Sequence, residues 1–510
     1  MSSVWGIARA QSVALLGMEA TVVDVEAWTG SGLPRTTMVG LPDAALTQAK
    51  ERCRAAVLSA GYTWPPQVLT INFTPASLPK TGSHYDLGIA AAVLATQQVI
   101  HHSCLAGVIL FGELGLDGAV HPVRGVLPAL LGARRLNFTR AIVPASQLAE
   151  ARLVEGIEVR GVATVRDLVD VLLGGPGVTD PPVPPADAPA APVPDLKDVV
   201  GLNQAKWALE VAAAGRHHLY LHGPPGVGKT LLASCLPSVL PELTANEAME
   251  VAAIHSLVDP SFDGLPRHPP YAAPHHSASL ASLIGGGALV ARPGAISLAH
   301  RGVLFLDEAP EFSPQALEAL RTPLELGEIV LGRSQTSVHY PARFQLVLAA
   351  NPCPCGMAAT PHRHCTCTPM AIRRYAARIS GPVRDRIDIQ AHIVPMRRSL
   401  MGLGDAEPEA SQVVAGRVQA ARDRQARRLS GTPWTTNAEL PGSYLRKELP
   451  VPAGVNRLDA AVSSGSLSAR GLDKVIKIAW TLADLGGADC PDGDHLNLAL
   501  ALRQGEEIVS

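Results

Sequence analysis

The sequence has no uninterrupted apolar run of about 18 residues, the length that a helix needs to cross a bilayer. Its first residues, Met-Ser-Ser-Val-Trp-Gly, have no charged segment followed by an apolar core, so no secretory signal is evident. No charge of one sign dominates, because 43 Lys and Arg oppose 45 Asp and Glu, a net charge of −2. These absences predict a cytoplasmic protein that makes no membrane contact. Any contact with nucleic acid must come from local patches.

Cysteine is scarce, with eight residues in 510, which argues against a disulfide-stabilised scaffold. In a chain expected in the cytoplasm, clustered cysteines more often bind a metal ion. The chain is 47% hydrophobic and 17% charged, which is the balance of a folded protein and excludes a disordered one. Its length predicts roughly two to four domains.

The clearest domain boundary is a linker rich in proline and alanine at residues 173–194. Such a segment cannot pack and is expected to be extended. Apolar alternation predicts strands before it, and helical spacing predicts helices, so residues 1–172 form an α+β domain. The predicted strands are 21–26, 68–73, 106–112 and 140–144, and the predicted helices are 43–60 and 86–94.

One stretch after the linker has the full G-x-x-x-x-G-K-T pattern of a phosphate-binding loop. A predicted strand at 217–222 precedes it, and a predicted helix at 231–236 follows it. Glycines let several backbone N–H groups point at one phosphate. Lys229 can reach the β- and γ-phosphates of ATP, and the Thr230 hydroxyl can bind Mg²⁺. The residues of this loop are Gly223, Pro224, Pro225, Gly226, Val227, Gly228, Lys229 and Thr230.

Two later apolar runs end in polar side chains. Residues 302–306 precede Asp307 and Glu308, and residues 344–350 precede Asn351. Buried parallel strands would deliver these side chains at their carboxyl ends. Asp307 is expected to help hold Mg²⁺, and Glu308 to act as general base on the attacking water. Asn351 is expected to orient that water or the γ-phosphate, the alternative being a turn cap before Pro352.

The order of these motifs is similar to that of AAA+ ATPases of the magnesium-chelatase-like group, and it closely resembles the ComM/YifB family. The resemblance implies a hexameric, ATP-driven DNA motor that acts in branch migration during recombination, notably in natural transformation. It also implies an AAA+ core with a parallel sheet at residues 195–394 and a helical lid at 395–510. The segments that carry it are Pro274-His-His-Ser-Ala-Ser279, residues 292–308, Asn351-Pro-Cys-Pro-Cys-Gly356, Arg374-Tyr375, residues 379–388 and residues 467–472.

Two arginines take roles from this resemblance. Arg386 matches the arginine finger, which a neighbouring subunit inserts to stabilise charge on the transferring phosphoryl group. Arg384 is a nearby rival for that role. Arg470 matches the second sensor, which reports the phosphate state to the lid. If the finger comes from a neighbour, hydrolysis requires a ring. The alternative for either arginine is a surface salt bridge.

Two insertions suit a ring that moves DNA. Residues 271–298 match the family's helix-two insertion and contain three consecutive glycines, and residues 328–340 predict a hairpin. Such loops can project into a central channel, where Arg333 at the hairpin tip would contact DNA phosphates without reading sequence. The alternative is an ordinary surface hairpin.

Four cysteines follow Asn351 as C-x-C, nine residues and C-x-C, with His362 and His364 inside the gap. Four soft ligands on one loop predict a tetrahedral Zn²⁺ site. The spacing departs from the commoner C-x-x-C, and the alternative is four reduced thiols. These cysteines are Cys353, Cys355, Cys365 and Cys367.

Residues 78–86 and 112–125 resemble the proteolytic domain of Lon. Lon-type catalysis needs a serine activated by a lysine. By alignment, His84 falls where Lon carries its catalytic serine, and Ser83 lies one residue before that position. Leu127 falls where Lon carries its catalytic lysine. Leucine cannot act as a base, so the resemblance implies an inactive Lon-like scaffold used in assembly or substrate handling.

Helical spacing predicts lid helices at residues 411–428 and 466–485. The first is rich in arginine and is expected to present a solvated face, the alternative being contact with DNA phosphates. Its arginines are Arg417, Arg422, Arg424, Arg427 and Arg428.

Three other functions compete with a DNA-stimulated ATPase motor. They are the motor subunit of a magnesium chelatase, an ATP-dependent protease, and a nucleotide-switched assembly factor. The Lon-like domain and the C-x-C pairs disfavour the chelatase, and the missing Ser/Lys pair disfavours the protease. The favoured function uses ATP and Mg²⁺, with Zn²⁺ if the cysteines bind it. It also requires single-stranded, forked or junction DNA and a homo-oligomer, expected to be a hexamer.

Overall fold

The computed structural model describes residues 7–40, 44–78, 80, 82–178, 193–261, 264–287, 291–332, 337–358, 364–394, 408–463, 465 and 467–506. Arg333 at the predicted hairpin tip, His362 and most of the proline-rich linker lie outside these residues. Within the described ranges, no helix combines the length and the apolar character that crossing a membrane requires.

The amino-terminal domain is built on a mixed sheet. Its strands are β1 (Ala8–Leu16), β2 (Glu19–Gly30), β3 (Arg35–Val39), β4 (Val68–Thr74), β5 (Val108–Leu110), β6 (Glu113–Leu114), β7 (Val120–His121), β8 (Arg140–Pro144) and β9 (Glu158–Val162). Its helices are α1 (Ala44–Ser59), α2 (Asp86–Thr96), α3 (Val126–Arg135), α4 (Leu148–Ala151) and α5 (Val165–Leu172). Seven of these strands form the mixed sheet, in the order β3-β4-β2-β1-β5-β8-β9. This confirms the α+β character predicted from apolar alternation and helical spacing.

The ATPase core follows the linker. Its strands are β10 (Leu219–His222), β11 (Tyr271–Ala272), β12 (Gly285–Gly286), β13 (Arg292–Pro293), β14 (Val303–Leu306), β15 (Glu328–Gly332), β16 (Ser337–Pro341), β17 (Gln345–Ala350) and β18 (Ile389–His392). Its helices are α6 (Asn203–Gly215), α7 (Lys229–Ser234), α8 (Leu236–Val239), α9 (Ala245–Ser256), α10 (Leu280–Ile284), α11 (Ala295–Leu298), α12 (Pro314–Glu318), α13 (Arg321–Leu326), α14 (Pro369–Ala376) and α15 (Gly381–Arg386).

Five of these strands form a parallel sheet in the order β11-β14-β17-β10-β18. Every residue of β14 and of β17 is buried, as expected for parallel strands covered on both faces. The expected α/β class with a parallel-sheet core is therefore confirmed. At the start of this region, Leu196–Asp198 forms a 3₁₀ turn capped by the Asp195 carboxylate.

The lid is helical, as predicted. Its helices are α16 (Ser411–Arg428), α17 (Gly442–Lys447), α18 (Asp459–Ser463), α19 (Ala469–Gly486) and α20 (Gly493–Gln504). The expectation of a solvated arginine face on α16 is wrong for three of its side chains. Arg422 donates to the Ala213 carbonyl at the end of α6, whereas Arg424 and Arg428 donate to Asp484 on α19. A helix end leaves carbonyls without partners, and Arg422 satisfies one at the end of α6, which ties the lid to the core. Arg424 bonds the backbone carbonyl of Asp484 and Arg428 its carboxylate, so these two contacts lie within the lid.

The amino-terminal domain packs directly on the core. Helix α3 lies against α9, where the buried Ala252 and Ala253 join the apolar cluster of the first domain. The Gly125 N–H donates to the Ser256 carbonyl at 2.9 Å. Gly17, at φ 67°, comes so close to β16 that a Cβ there would lie 2.6 Å from Val338. The first domain therefore touches the hairpin formed by β15 and β16.

Candidate nucleotide-hydrolysis site

The phosphate loop lies between β10 and α7, as its sequence context predicted. Gly226 and Gly228 have φ angles of 75° and 92°, which an L side chain rarely adopts. The Lys229 ammonium is buried and donates to the Gly223 carbonyl at 2.7 Å and to the Pro224 carbonyl at 2.8 Å. Burial lowers the pKa of Lys229, while the nearby Asp307 and Glu308 raise it. The loop thus folds around its own lysine.

Thr230, at the start of α7, and Asp307, after β14, meet at the carboxyl edge of the sheet. The Thr230 hydroxyl donates to Asp307 Oδ2 at 2.7 Å. Hydroxyl and carboxylate oxygens are the hard donors that Mg²⁺ prefers, and it usually keeps several waters beside one or two such ligands. This donor pair fits the predicted magnesium site, where Thr230 and Asp307 would hold the ion.

Asn351 does not merely cap the turn before Pro352. Its side-chain Oδ1 accepts a hydrogen bond from Lys229 Nζ at 3.0 Å. Strand β17, which Asn351 follows, lies between β14 and β10 in the sheet. The order of the strands therefore brings Asn351, Lys229, Thr230 and Asp307 to one edge.

Glu308 follows Asp307 at the same edge and has an unusual backbone. Its φ of 50° is positive, and its N–H donates to Asp307 Oδ1 at 2.9 Å. A positive φ is uncommon for a residue other than glycine. Glu308 Oε2 lies 3.4 Å from His276 Nδ1. No role for His276 was predicted from the sequence, although it lies in one of the segments that carry the family resemblance, Pro274–Ser279.

The two predicted arginines lie at the opposite end of the sheet. Strands β18 and β10 run parallel, and their first residues, Ile389 and Leu219, are paired. Arg386 comes before β18 and therefore lies at the amino end of both strands. The phosphate loop begins after the other end of β10. Arg386 pairs with Glu325 and donates to the Pro382 carbonyl at 2.7 Å. The structure therefore does not bring Arg386 to the Lys229 and Asn351 cluster of its own chain.

Arg470 lies beside Arg386. It donates to Asp385 Oδ2 at 3.2 Å and to Glu325 Oε1 at 3.4 Å. Glu325 therefore joins the predicted finger and the predicted sensor, a role that no sequence motif signalled. The rival Arg384 is exposed and donates to the Ala376 carbonyl at 3.1 Å.

A buried polar cluster supports this second edge. Asp388 accepts from the His218 N–H at 2.8 Å and from Lys474 Nζ at 2.5 Å. Burial alone would raise the pKa of Asp388, but Lys474, His218 and His217 hold it well below its usual range. Lys474 also donates to the Arg386 carbonyl at 2.6 Å. The ion pair thus ties lid helix α19 to the backbone of the predicted finger.

The four cysteines that follow Asn351 converge. Their sulfur atoms lie within 4.8 Å of one another, and three Sγ–Sγ distances are 3.3, 3.6 and 3.7 Å. Tetrahedral Zn–S bonds of about 2.3 Å place sulfurs roughly 3.8 Å apart, so the cluster fits Zn²⁺. The Met357 backbone N–H and the Cys353 side chain lower the pKa of Cys355 to about 6. A thiolate is thereby favoured at Cys355, whereas desolvation and the neighbouring cysteine side chains raise the pKa of Cys365 and of Cys367.

The residues of the Lon-like segments each contact a different partner. Ser83 donates to Glu113, and His84 Nε2 lies 3.1 Å from the Val13 carbonyl. Burial lowers the pKa of His84 to about 4. Leu127 is fully buried in the core, and Lys80 donates to the carbonyls of Gly40 and Leu78. These contacts agree with a scaffold role.

Three family models match this chain. The model described as magnesium chelatase, subunit ChlI, matches residues 195–401. The model described as subunit ChlI of Mg-chelatase matches residues 25–147, and the one described as magnesium chelatase, subunit ChlI C-terminal, matches residues 408–503. An uncharacterized protein of Mycobacterium tuberculosis is 49% identical over 98% of this chain and 99% of its own. The protein YifB of Escherichia coli is 40% identical over 97% of each chain. Competence protein ComM of Haemophilus influenzae is 38% identical over 98% and 97%.

The chain belongs to the magnesium-chelatase-like ComM/YifB family. Near-complete coverage means that the resemblance identified from separate motifs holds along the whole chain. Membership of this AAA+ family indicates ATPase activity, use of ATP and Mg²⁺, and a tendency to form oligomers.

Proposed function

We propose that this protein is an ATP-driven DNA motor, a branch-migration translocase that works as a homo-hexameric ring. The observation that carries the proposal is the division of the site between two edges of one sheet. Lys229, Thr230 and Asn351 lie at the carboxyl ends of the strands, whereas Arg386 and Arg470 lie at the amino ends. A chain divided in this way needs a second copy to complete its site.

The residues supply the parts of ATP hydrolysis. Lys229 contacts the β- and γ-phosphates, Asn351 orients the attacking water, and Glu308 accepts its proton. Thr230 and Asp307 would hold Mg²⁺, which would offset the negative charge of the phosphates. Arg386 of a neighbouring subunit stabilises the charge that develops on the transferred group, and Arg470 acts beside it. Glu325 must release both arginines when they turn toward that phosphate.

The DNA contact of this motor is assigned to two neighbouring hairpins. One pairs β12 with β13, and the other pairs β15 with β16. They are joined by a hydrogen bond from the Tyr340 hydroxyl to the Ala291 carbonyl at 2.6 Å. Arg333, at the tip of the second hairpin, provides the phosphate contact in this proposal. With a net charge of −2, the chain needs such a local contact.

The proposed setting is the cytoplasm, where the motor acts in homologous recombination and natural transformation. The printed name of the Haemophilus influenzae relative, competence protein ComM, supports this setting. The proposal also includes one Zn²⁺ held by Cys353, Cys355, Cys365 and Cys367, directly after Asn351. The ion would brace the loop that carries Asn351.

One experiment tests the motor. ATP turnover is measured without DNA, with single strands, with a forked duplex and with a four-way junction, using Glu308→Gln as the blank. Stimulation by DNA together with unwinding of the junction is the expected result. Turnover that is indifferent to every DNA would contradict the proposal.

A second candidate is the motor subunit of a magnesium chelatase, which the description of the matching family models favours. That function predicts turnover that responds to a porphyrin and to partner subunits but not to DNA. A nucleotide-switched assembly factor predicts ATP-dependent association without movement of DNA. The same turnover panel, extended with a porphyrin, separates the three.

A further inference from the structure

A cavity of about 450 Å³ lies where the amino-terminal domain meets the core. Its volume falls within the roughly 300–1,000 Å³ of small-molecule sites, which often occur at domain interfaces. The first domain contributes the end of β1 and the segments that precede α2 and α3. The core contributes Leu257 after α9, Arg292 on β13 and Tyr340 on β16. The cavity therefore touches both of the hairpins that follow the phosphate loop in sequence.

Two arginines line the cavity from opposite sides of the domain boundary. Arg124 precedes α3, Arg292 begins β13, and both are exposed. Among the described residues, no carboxylate lies within ion-pair distance of either guanidinium. The Asp259 carboxylate, which interacts with Arg124 at longer range, accepts from the Ser261 N–H at 2.9 Å. Two guanidinium groups without an ion-pair partner suit an anion such as phosphate.

The lining also carries hydrogen-bond acceptors. Ser83 donates to Glu113 Oε2, and no described residue donates to Glu113 Oε1. His84 Nε2 donates to the Val13 carbonyl at 3.1 Å, which leaves Nδ1 as an acceptor. Burial lowers the pKa of His84 to about 4, so the ring is neutral near pH 7. A ligand with N–H donors would satisfy these groups, whereas a carboxylate would be repelled by Glu113.

The wall between these polar groups is aromatic and apolar. The rings of His84 and Phe111 lie 4.7 Å apart at an angle of 37°, and Leu15 and Val123 line the same cavity. Flat rings bind well against such a wall, as bases do on aromatic side chains. A planar ring, N–H donors and an anionic group occur together in a nucleotide. An acidic peptide would offer the arginines a charge, but it has no planar donor for the interior.

We propose that this cavity binds one nucleotide unit, with the base against the His84–Phe111 wall and the phosphate between Arg124 and Arg292. Two sources supply this chemistry, a free mononucleotide and the terminal nucleotide of a single strand. The second source rests on the proposed function, because Arg292 and Tyr340 belong to the hairpins assigned to DNA. Binding of a mononucleotide does not depend on that function. In either case the bound unit joins the first domain to both hairpins.

The test is titration calorimetry of the full-length protein with dCMP, with excess ADP and Mg²⁺ present to fill the phosphate loop. The matched probe is dTMP, which has a carbonyl where cytosine has an amine. We expect dCMP to bind about 10-fold more tightly, because Glu113 accepts from the amine. Arg124→Ala should weaken dCMP binding by roughly 10-fold. The control is Arg135→Ala, an exposed arginine at the end of α3 outside the cavity, which should leave dCMP binding unchanged.

Glu113→Gln tests the role of the carboxylate. It should abolish the preference for dCMP, since an amide can also donate to the thymine carbonyl. A merely structural role for Glu113 would weaken both probes equally. Absence of dCMP binding, equal affinity of the wild type for dCMP and dTMP, or unchanged dCMP binding in Arg124→Ala would each overturn the inference.

Two short strands separate the sources, one of ten thymidines and one in which cytidine replaces the thymidine at the 3′ end. Tighter binding of the second strand, lost in Arg124→Ala and reversed by dCMP, would identify the strand end as ligand. Equal binding of both strands, with dCMP bound, would identify the free mononucleotide. Turnover with and without DNA is measured beside these titrations. Binding of dCMP without DNA-stimulated turnover would contradict the motor and support the cavity site.

Discussion

The two ends of the parallel sheet differ in the partners that their charged side chains contact. At the carboxyl ends, Lys229 contacts two carbonyls of its own loop and the Asn351 amide, groups that a phosphate can replace. At the amino ends, Arg386 and Arg470 are held by Glu325, and Asp388 is buried with Lys474. Strand β10, four residues long, spans roughly 10 Å between these ends. One edge can receive a ligand, and the other holds the cations that a partner would meet in the proposed ring.

The largest expected effect comes from mixing two inactive variants. Lys229→Ala disables the carboxyl edge of the sheet, which carries the phosphate loop and is called the phosphate edge below. Arg386→Ala disables the amino edge, which carries Arg386 and Arg470 and is called the arginine edge. Each variant alone should lower ATP turnover by roughly 10³-fold. An equimolar mixture should recover activity, because about one interface in four joins an intact loop to an intact arginine. ATP turnover of both pure variants and the mixture measures this.

The control for that mixture is Arg384→Ala in place of Arg386→Ala. Arg384 is the alternative candidate for the arginine finger. If the pure Arg384→Ala protein keeps its ATP turnover, Arg386 is favoured as the finger. A mixture as inactive as its components, at a concentration where size measurements show mixed rings, would mean that each chain completes its own site.

The next effect concerns stability of the arginine edge. Asp388→Asn leaves Lys474 buried without its ion-pair partner and should destabilise the protein by about 3–5 kcal/mol near neutral pH. Since the pKa of Asp388 is held below its usual value, its stabilisation is present above about pH 4 and is lost as the pH falls further. Thermal unfolding midpoints of the wild type and the variant should therefore converge as the pH falls from about 5 toward 2.

The matched variant is Asp385→Asn at the same edge, whose side chain is 32% exposed and pairs with Arg470. It should lower the unfolding midpoint much less, because exposed ion pairs contribute little. An Asp388→Asn difference that stays constant across the acidic range would show that the ion pair does not support this edge.

The smallest effect is expected beside Asn351. Cys365→Ser removes one of four zinc ligands, so bound zinc should fall from about one ion per chain to under a tenth, as metal analysis of purified protein would measure. ATP turnover should fall by roughly 3- to 10-fold, because the loop after Asn351 loses its brace.

Cys490→Ser, a partly buried cysteine in the lid, is the control and should retain full zinc. Wild-type protein with under a tenth of a zinc per chain would leave four reduced thiols as the state of the cluster. The phosphate edge would then be held by the protein chain alone.

Local sequence predicted the parts of the phosphate edge well. The apolar runs before Asp307 and Asn351 form β14 and β17, and the predicted hairpin is β15 and β16. Each pattern depends on residues close in sequence, such as a run too apolar to lie outside a sheet. The roles of the site residues stay predictions.

Other features depended on partners distant in sequence. Glu325 lies 145 residues from Arg470, and Arg422 meets a carbonyl 209 residues away. Arginine on a helix looks the same in sequence whether it faces water or the end of another helix.

The sequence by itself determined the phosphate loop, the buried strands that end in Asp307 and Asn351, and the family to which the chain belongs. These follow from local backbone and side-chain chemistry that needs no distant partner. Only the tertiary structure decided where Arg386, Arg470 and His276 lie relative to these side chains. Strand order and parallel register set those positions, and they separate Arg386 and Arg470 from Lys229 while placing His276 against Glu308.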